Sequence, residues 1–282
     1  MPVEAEIRMQ VAADEEGSSS QSAVKPARRE ALETNAIRLL VVVAFLVAWQ
    51  LVSGPILPRY AISRPTDVAR SLGQLLSSSA GWGDIRTTAF EVALGFLIGT
   101  GIGTVGGLVL GTFRYAGRVL EPLIAAFNGI PKVALAPLFL LFFGIGDISK
   151  IAIASTSVAF IMFYNLYLGL RTIRKELEDT VLVMGGKRHH VLTYVTLPSL
   201  TSPFIAGLKT SGPLAIIGVI IGEFIASFNG VGHLLFVDSN NLDASGVFAG
   251  IIVLVIMALI LNGMLSLLDR TVERRLGLQP RR

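Results

Sequence analysis

Long apolar stretches separated by short polar segments follow a polar opening over residues 1–35. Six of these stretches approach the ~20 residues that a helix needs to cross ~30 Å of hydrocarbon, so we predict six spans. The predicted spans are Ala36–Leu57, Ala89–Phe113, Leu120–Phe143, Ile151–Leu170, Pro203–Ile225 and Val247–Leu268. The pattern therefore predicts an all-α, polytopic membrane protein. Prolines and lysines interrupt the third and fifth stretches.

Composition agrees with this class. Of 282 residues, 52% are hydrophobic and only 16% are charged, whereas soluble domains are nearer a quarter charged. An ordinary soluble enzyme and a disordered protein are excluded, and the absence of cysteine excludes a disulfide scaffold.

The lysines and arginines predict an orientation. With the N-terminus in the cytoplasm, most of the 24 basic residues fall in the segments on the inner side. We therefore expect a multi-pass protein of the bacterial inner membrane with both termini cytoplasmic, and we expect no nucleic acid partner although the net charge is +4. The expected organisation is a disordered tail over 1–35, a transmembrane domain over 36–270 with a cytoplasmic loop at 171–198, and a basic tail over 271–282.

Two features suggest how the spans pack and what borders them. Glycines recur every fourth residue along the second span, which gives that helix a side-chain-free stripe against which a neighbouring helix can pack closely. The stripe comprises Gly95, Gly99, Gly103, Gly107 and Gly111. Outside the membrane, residues 58–86 read as a turn and a short amphipathic helix along the surface, with Val68, Leu72 and Leu75 on one face.

A few polar residues and prolines within the spans are candidates for a translocation pathway. Ionisable groups in spans are costly and usually face protein or a water-filled cavity, and prolines free backbone groups that can line one. The candidates are Asn128, Pro131, Lys132, Pro137, Lys209 and Glu223, with Asn165 a weaker one. The lysines could instead snorkel or pair with acids, and Glu223 could be an interfacial charge.

No nucleotide or metal site is expected on this chain. The Walker sequence is absent, since Gly185-Gly186-Lys187 is followed by Arg188 where Ser or Thr is required. The adjacent His189 and His190 lack a zinc-binding spacing, so a solvated or partner-contacting role is favoured. Any nucleotide-driven function needs a second polypeptide.

The loop at 171–198 has the pattern of a helix, a glycine break, a second helix and a proline stop. A short amphipathic element of this kind is suited to docking in a groove on a cytoplasmic partner. The residues that we expect to make this contact are Glu178, Asp179, Val181, Met184, Gly185, Gly186, Lys187, Leu197 and Pro198.

This loop resembles the "EAA" motif of bacterial ABC importer permeases, E-A-A-x3-G-x9-I-x-L-P. Here the motif reads Asp179-Thr180-Val181, Gly185, and Val195-Thr196-Leu197-Pro198 with the same spacing from the glycine. Ile130–Leu138, Phe142–Gly146, and Glu223 with Gly230–Leu235 are similar to the nitrate/sulfonate/taurine permease family. One departure is Glu91, since family members often have a basic residue at that position.

The resemblance implies the type I ABC importer permease fold and a chain that is not itself an enzyme. It implies a second permease copy (identical or a close paralogue), two ABC ATPase subunits and an extracytoplasmic solute-binding protein, all within membrane lipid. ATP and Mg would be bound by the ATPases, with no cofactor on this chain. The solute would be small and anionic, such as a sulfonate, taurine, nitrate or an organic acid.

Two other function classes compete with an ATP-driven importer. Six spans with internal charges could work alone as a secondary transporter or a channel. An intramembrane enzyme would need a Ser–His pair or paired catalytic carboxylates within the spans, and the sequence shows neither.

Overall fold

The computed structural model describes residues 26–55, 58 and 60–276, and its regular elements are helices. The chain divides into two units, residues 1–59 and 60–282. Within the first unit, α1 spans Pro26–Val52, and its segment Thr34–Val52 is long and apolar enough to cross a membrane. The predicted N-terminal tail up to residue 25 and the end of the C-terminal tail from residue 277 lie outside the described residues.

The second unit contains the remaining helices. In chain order these are α2 (Pro65–Ser77), α3 (Ser79–Thr112), α4 (Arg114–Gly129), α5 (Ala136–Phe143), α6 (Asp147–Arg171), α7 (Lys175–Val183), α8 (Arg188–Val191), α9 (Leu197–Ala226), α10 (Val231–Asn240) and α11 (Ala244–Leu276). Among the described residues, five helical segments are long and apolar enough to cross a membrane. They correspond to α1, α3, α6, the continuous helix that ends with α9, and α11.

The third predicted span differs from the structure. Instead of one helix over Leu120–Phe143, α4 ends at Gly129, a 3₁₀ turn occupies Lys132–Leu135, and α5 starts at Ala136. The physical reason is proline, because Pro131 and Pro137 have no N–H to donate and their rings clash with the preceding turn. The count of six uninterrupted spanning helices is therefore not reproduced.

The predicted proline stop at Pro198 is also wrong. Residues Leu192–Thr196 form a π-helical turn that joins α8 to α9 without a break. The N–H of Leu197 bonds to the carbonyl of Leu192, five residues earlier, and Pro198, which has no N–H to donate, follows directly after this π-helical turn.

Helix α6 is the centre of the second unit, with α3 on one side and α9 on another. Its residues Val158, Met162 and Leu166 are fully buried. All five glycines of the stripe on α3 are buried. A Cβ at Gly99 or Gly103 would collide with backbone atoms of α6, so only glycine allows this approach.

The amphipathic helix predicted after residue 58 is present as α2. Val68 is buried, and α2 packs against α11, where the hydroxyls of Ser71 and Ser245 are 3.0 Å apart. At least part of the apolar face of α2 is therefore covered by protein.

Candidate functional site

Helix α7 lies in the loop after α6, and two glycines follow its end. Gly185 has φ +84°, a left-handed conformation that glycine adopts without strain. The N–H of Gly185 bonds to the carbonyl of Leu182 at 3.0 Å, and that of Gly186 bonds to Val181 at 2.9 Å. These two bonds are a Schellman motif, and they satisfy carbonyls that the end of a helix leaves free.

The tip formed by this motif is apolar and exposed. Val183 is 88% exposed and Met184 is 83% exposed, and α7 has no buried residue. Apolar side chains this exposed on a rigid turn are typical of a surface that a partner protein covers. Glu178 and Asp179 lie on the same helix, and Leu197 and Pro198 lie at the start of α9.

His190 fixes the other side of the glycine break. Its Nδ1 accepts the backbone N–H of Lys187 at 3.1 Å at the start of α8. The imidazole thus has the role that Glu or Gln usually has at the third position of a helix. Sequence reasoning favoured a solvated or partner-contacting role for the histidine pair and did not anticipate this cap.

The predicted pathway residues fall into separate environments. Lys209 forms an ion pair with Asp269 of α11, so pairing with an acid is what the structure shows for this lysine. Pro131 and Pro137 flank the 3₁₀ turn. The side chains of Asn128 and Lys132 lie outside the described part of the structure, so a solute role for them stays a prediction.

Glu223 lies among buried polar groups near the end of α9. One of its carboxylate oxygens accepts the Thr88 hydroxyl at 2.6 Å, and the other accepts the N–H of Gly232 at 2.7 Å. Lys150 of α6 forms an ion pair with Glu91 of α3 and hydrogen-bonds to the Ser227 hydroxyl at 3.2 Å.

We call Glu91, Lys150 and Glu223 the charge cluster. Their side chains are 0%, 2% and 1% exposed. The sequence pointed to Glu91 and Glu223 separately, and Lys150 lay just before the fourth predicted span. Their meeting was not predicted, because residues on three different helices are brought together only by packing.

Two apolar cavities lie between helices of the second unit. One, of about 300 Å³, lies between α3 and α6 and is lined by residues such as Gly106, Thr156 and Phe163. Another, of about 240 Å³, lies between α6 and α9. The described pathway candidates, among them Pro131, Lys209 and Glu223, are not among the residues that line either cavity.

Comparisons with known proteins agree with this architecture. Over 238 residues the chain is 30% identical to the riboflavin transport system permease protein RibX of Chloroflexus aurantiacus, covering 84% of this chain and 88% of that protein. It is 26% identical to the putative aliphatic sulfonates transport permease protein SsuC of Bacillus subtilis over 233 residues, covering 82% and 84%.

A solved structure shows the same fold. A chain from an inward-facing structure of the MetNI methionine ABC transporter matches with a TM-score of 0.57 and 18% identity, covering 68% of this chain and 96% of that one. The model of the family described as binding-protein-dependent transport system inner membrane component matches residues 95–275. The matched residues include the glycine stripe, the charge cluster except Glu91, and the exposed loop. The chain therefore belongs to this family of inner membrane transport components.

Proposed function

We propose that this chain is the membrane-spanning permease of an ATP-driven importer and that the loop at 171–198 is the part that its ATPase partners engage. The observation that carries the proposal is the exposed apolar tip, Val183 and Met184, held by the Schellman motif. A continuous helix over Arg188–Ala226 begins just after the glycine break that follows this tip, so a movement of the loop is passed on to α9.

Two ATPase subunits and a second permease copy complete the assembly in this proposal, with a solute-binding protein on the outer side. The MetNI likeness supports a shared fold, and the family description supports dependence on a binding protein. Nucleotide hydrolysis on the ATPases would move the loop, and the spans of the two permease copies would then open alternately to each side.

The proposed orientation places both termini and the loop in the cytoplasm. It rests on the excess of basic residues in the segments on that side. A reporter fused after residue 276 tests it, and activity only on the outer side contradicts it.

A small organic anion, such as a sulfonate, is the solute that we propose to test first. Similarity to the Bacillus subtilis protein named for aliphatic sulfonates supports this choice. Lys209 gives it no support, since Asp269 neutralises that lysine. Riboflavin is included in the test because the Chloroflexus aurantiacus relative is named for it.

The experiment is uptake into vesicles that contain the permease together with its ATPase and binding protein. We expect uptake to require ATP and the binding protein. Met184→Asp is expected to abolish uptake and to release the ATPase from the purified complex, because a charge replaces apolar contact area. Met184→Leu keeps an apolar side chain and is the matched control.

Two results would contradict the proposal. One is solute movement by the permease alone, without ATPase, which would favour a secondary transporter or a channel. The other is normal ATPase binding by a folded Met184→Asp protein, which would show that the tip is not the contact.

A further inference from the structure

The charge cluster joins helices that are distant in sequence. Glu91 belongs to α3, Lys150 to α6, and Glu223 to α9. The ammonium group of Lys150 contacts Glu91 and also lies 3.2 Å from Asp147, one turn earlier on α6. Lys150 therefore joins α6 to α3, and Glu223 joins α9 to α3 through Thr88.

The cluster also holds the start of α10. Glu223 accepts the N–H of Gly232, and the Thr88 hydroxyl, which donates to Glu223, accepts the N–H of Val231 at 2.9 Å. The carboxylate of Asp84 accepts the N–H of Gly230 at 2.7 Å. A negative charge at the N-terminus of a helix is favourable, so Glu223 fixes both the position and the direction of α10.

Glycines fit this arrangement closely. A Cβ at Gly222 would lie 2.8 Å from the Lys150 side chain, and one at Gly232 would lie 2.8 Å from Cβ of Glu223. Gly230 has φ +106°, and a Cβ there would collide with the Glu223 carboxylate. At these three glycines the backbone therefore lies so close to the charged side chains that a Cβ atom would not fit without a shift.

Stability alone does not explain such a cluster. Burying an ion pair usually stabilises a protein no more than apolar side chains of the same volume do, because desolvation offsets the attraction. Ionisable groups within membrane spans are rare and by default suggest a functional role. The cluster supplies a single fixed geometry for the start of α10, and apolar groups would not supply it.

We propose that Glu91, Lys150 and Glu223 are positioning residues that together hold α10 against the ends of α3, α6 and α9. In the proposed orientation, these helix ends lie at the outer end of the permease. Because α10 is held there, the loaded binding protein moves α3, α6, α9 and α10 together when it arrives. The inference rests on the proposed function, because it concerns the step in which the binding protein acts.

The decisive variant replaces the ion pair by apolar groups, Glu91→Leu with Lys150→Met. Because both charges leave together, no buried charge of this pair is left without its partner, and the protein is expected to fold. Basal ATPase activity of the complex should stay, while stimulation by the solute-loaded binding protein should fall about tenfold, a usual size for coupling between sites.

Thr88 offers a matched pair of variants. Thr88→Val has nearly the same shape but loses both hydrogen bonds that link α3 to Glu223 and α10, whereas Thr88→Ser keeps the hydroxyl. We expect the valine variant to lose stimulation and the serine variant to retain it.

A structural readout separates positioning from stability. The chain has no cysteine, so Gly83→Cys on α3 and Ser239→Cys on α10 can carry two spin labels, and both positions are exposed. The distance between the labels should have one narrow distribution with the cluster intact and a broad one in the apolar double variant.

The outcomes are distinct. Full stimulation together with an unchanged label distance in the folded double variant would overturn the inference and leave the proposed function standing. A wild-type complex that shows neither ATP-dependent uptake nor stimulation would instead overturn the proposed function, and the label distances would still decide whether the cluster positions α10.

Discussion

Lys209 of α9 forms an ion pair with Asp269 of α11, sixty residues further along the chain. The pair is partly exposed, with side-chain exposures of 39% and 20%. It ties together two helices that are both long and apolar enough to span the membrane. A lysine that sequence reasoning considered for attracting solute thus has a counter-charge within its own chain.

This pairing gives the first prediction. Asp269→Asn removes the counter-charge of Lys209 and should lower the free energy of unfolding in detergent by no more than about 1 kcal/mol, because the pair is partly exposed and solvent screens it. The double variant Lys209→Met with Asp269→Leu should recover most of that loss, because no charge is left without a partner. Uptake by the double variant should show an unchanged KM for solute. A raised KM with normal thermal stability would restore a solute-binding role for Lys209.

The glycine stripe gives the second prediction. Gly103→Leu places a side chain where backbone atoms of α6 already lie, and the two helices would have to separate. Overfilled cores lose about 1–3 kcal/mol, and a clash with backbone is harder to relieve than one with a side chain. We expect little folded protein, measured as the monodisperse fraction after extraction in detergent.

Gly101 is the matched control for that substitution. It lies two residues earlier on α3, and a Cβ there has nothing within 4 Å. Gly101→Leu should fold as well as the wild type does. Equal losses for both leucine variants would mean that the stripe is not a packing surface.

The third prediction concerns Gly185. Its surroundings are open, so a substitution costs only the left-handed backbone, about 1–2 kcal/mol for most L-residues and less for Asn. Gly185→Val should therefore misplace the tip and reduce solute-stimulated ATPase activity, while Gly185→Asn should be close to wild type. If the valine variant kept full stimulated activity, the turn would not be needed for coupling.

The fourth prediction concerns acid. Burial raises the pKa of Asp238, on α10, above its ordinary range, and the negative charge of Asp243 raises it further. A raised pKa means that the folded state binds this proton more tightly than the unfolded state, so the contribution to stability is greatest below about pH 4 and is lost as pH rises through the folded-state pKa. Asp238→Asn should be more stable than wild type at neutral pH, by an amount that shrinks in acid.

Thermal unfolding of the two proteins across a pH series measures this difference. Ser239→Ala, at the next and exposed position, is the control and should follow the wild-type curve. A constant difference between Asp238→Asn and wild type at every pH would contradict the assignment.

Local pattern was sufficient for much of the fold. The apolar stretches predicted the positions of α3, α6, α9 and α11, because a helix that crosses a membrane needs about 20 consecutive, mostly apolar residues. The glycine pair at 185 and 186 indicated the break after α7, since few other residues allow a left-handed turn.

Other features were beyond local pattern. The third apolar stretch looked long enough to span, but its prolines divide it into α4 and α5. Pro198 looked like a stop, but a π-helical turn carries the helix past it. In both cases the outcome depends on which hydrogen-bond partners the backbone N–H and C=O groups find. Residue types alone do not specify those partners.

The sequence by itself determined that this chain is a helical membrane protein and predicted a loop for partner binding, because hydropathy, charge and glycine act locally along the chain. Only the tertiary structure decided which charges meet. Glu91, Lys150 and Glu223 lie far apart in sequence, and each alone could have faced solute, lipid or water. Packing of α3, α6 and α9 through small residues paired Lys150 with Glu91 and placed Glu223 against Thr88 on the same helix as Glu91, with all three charges nearly fully buried.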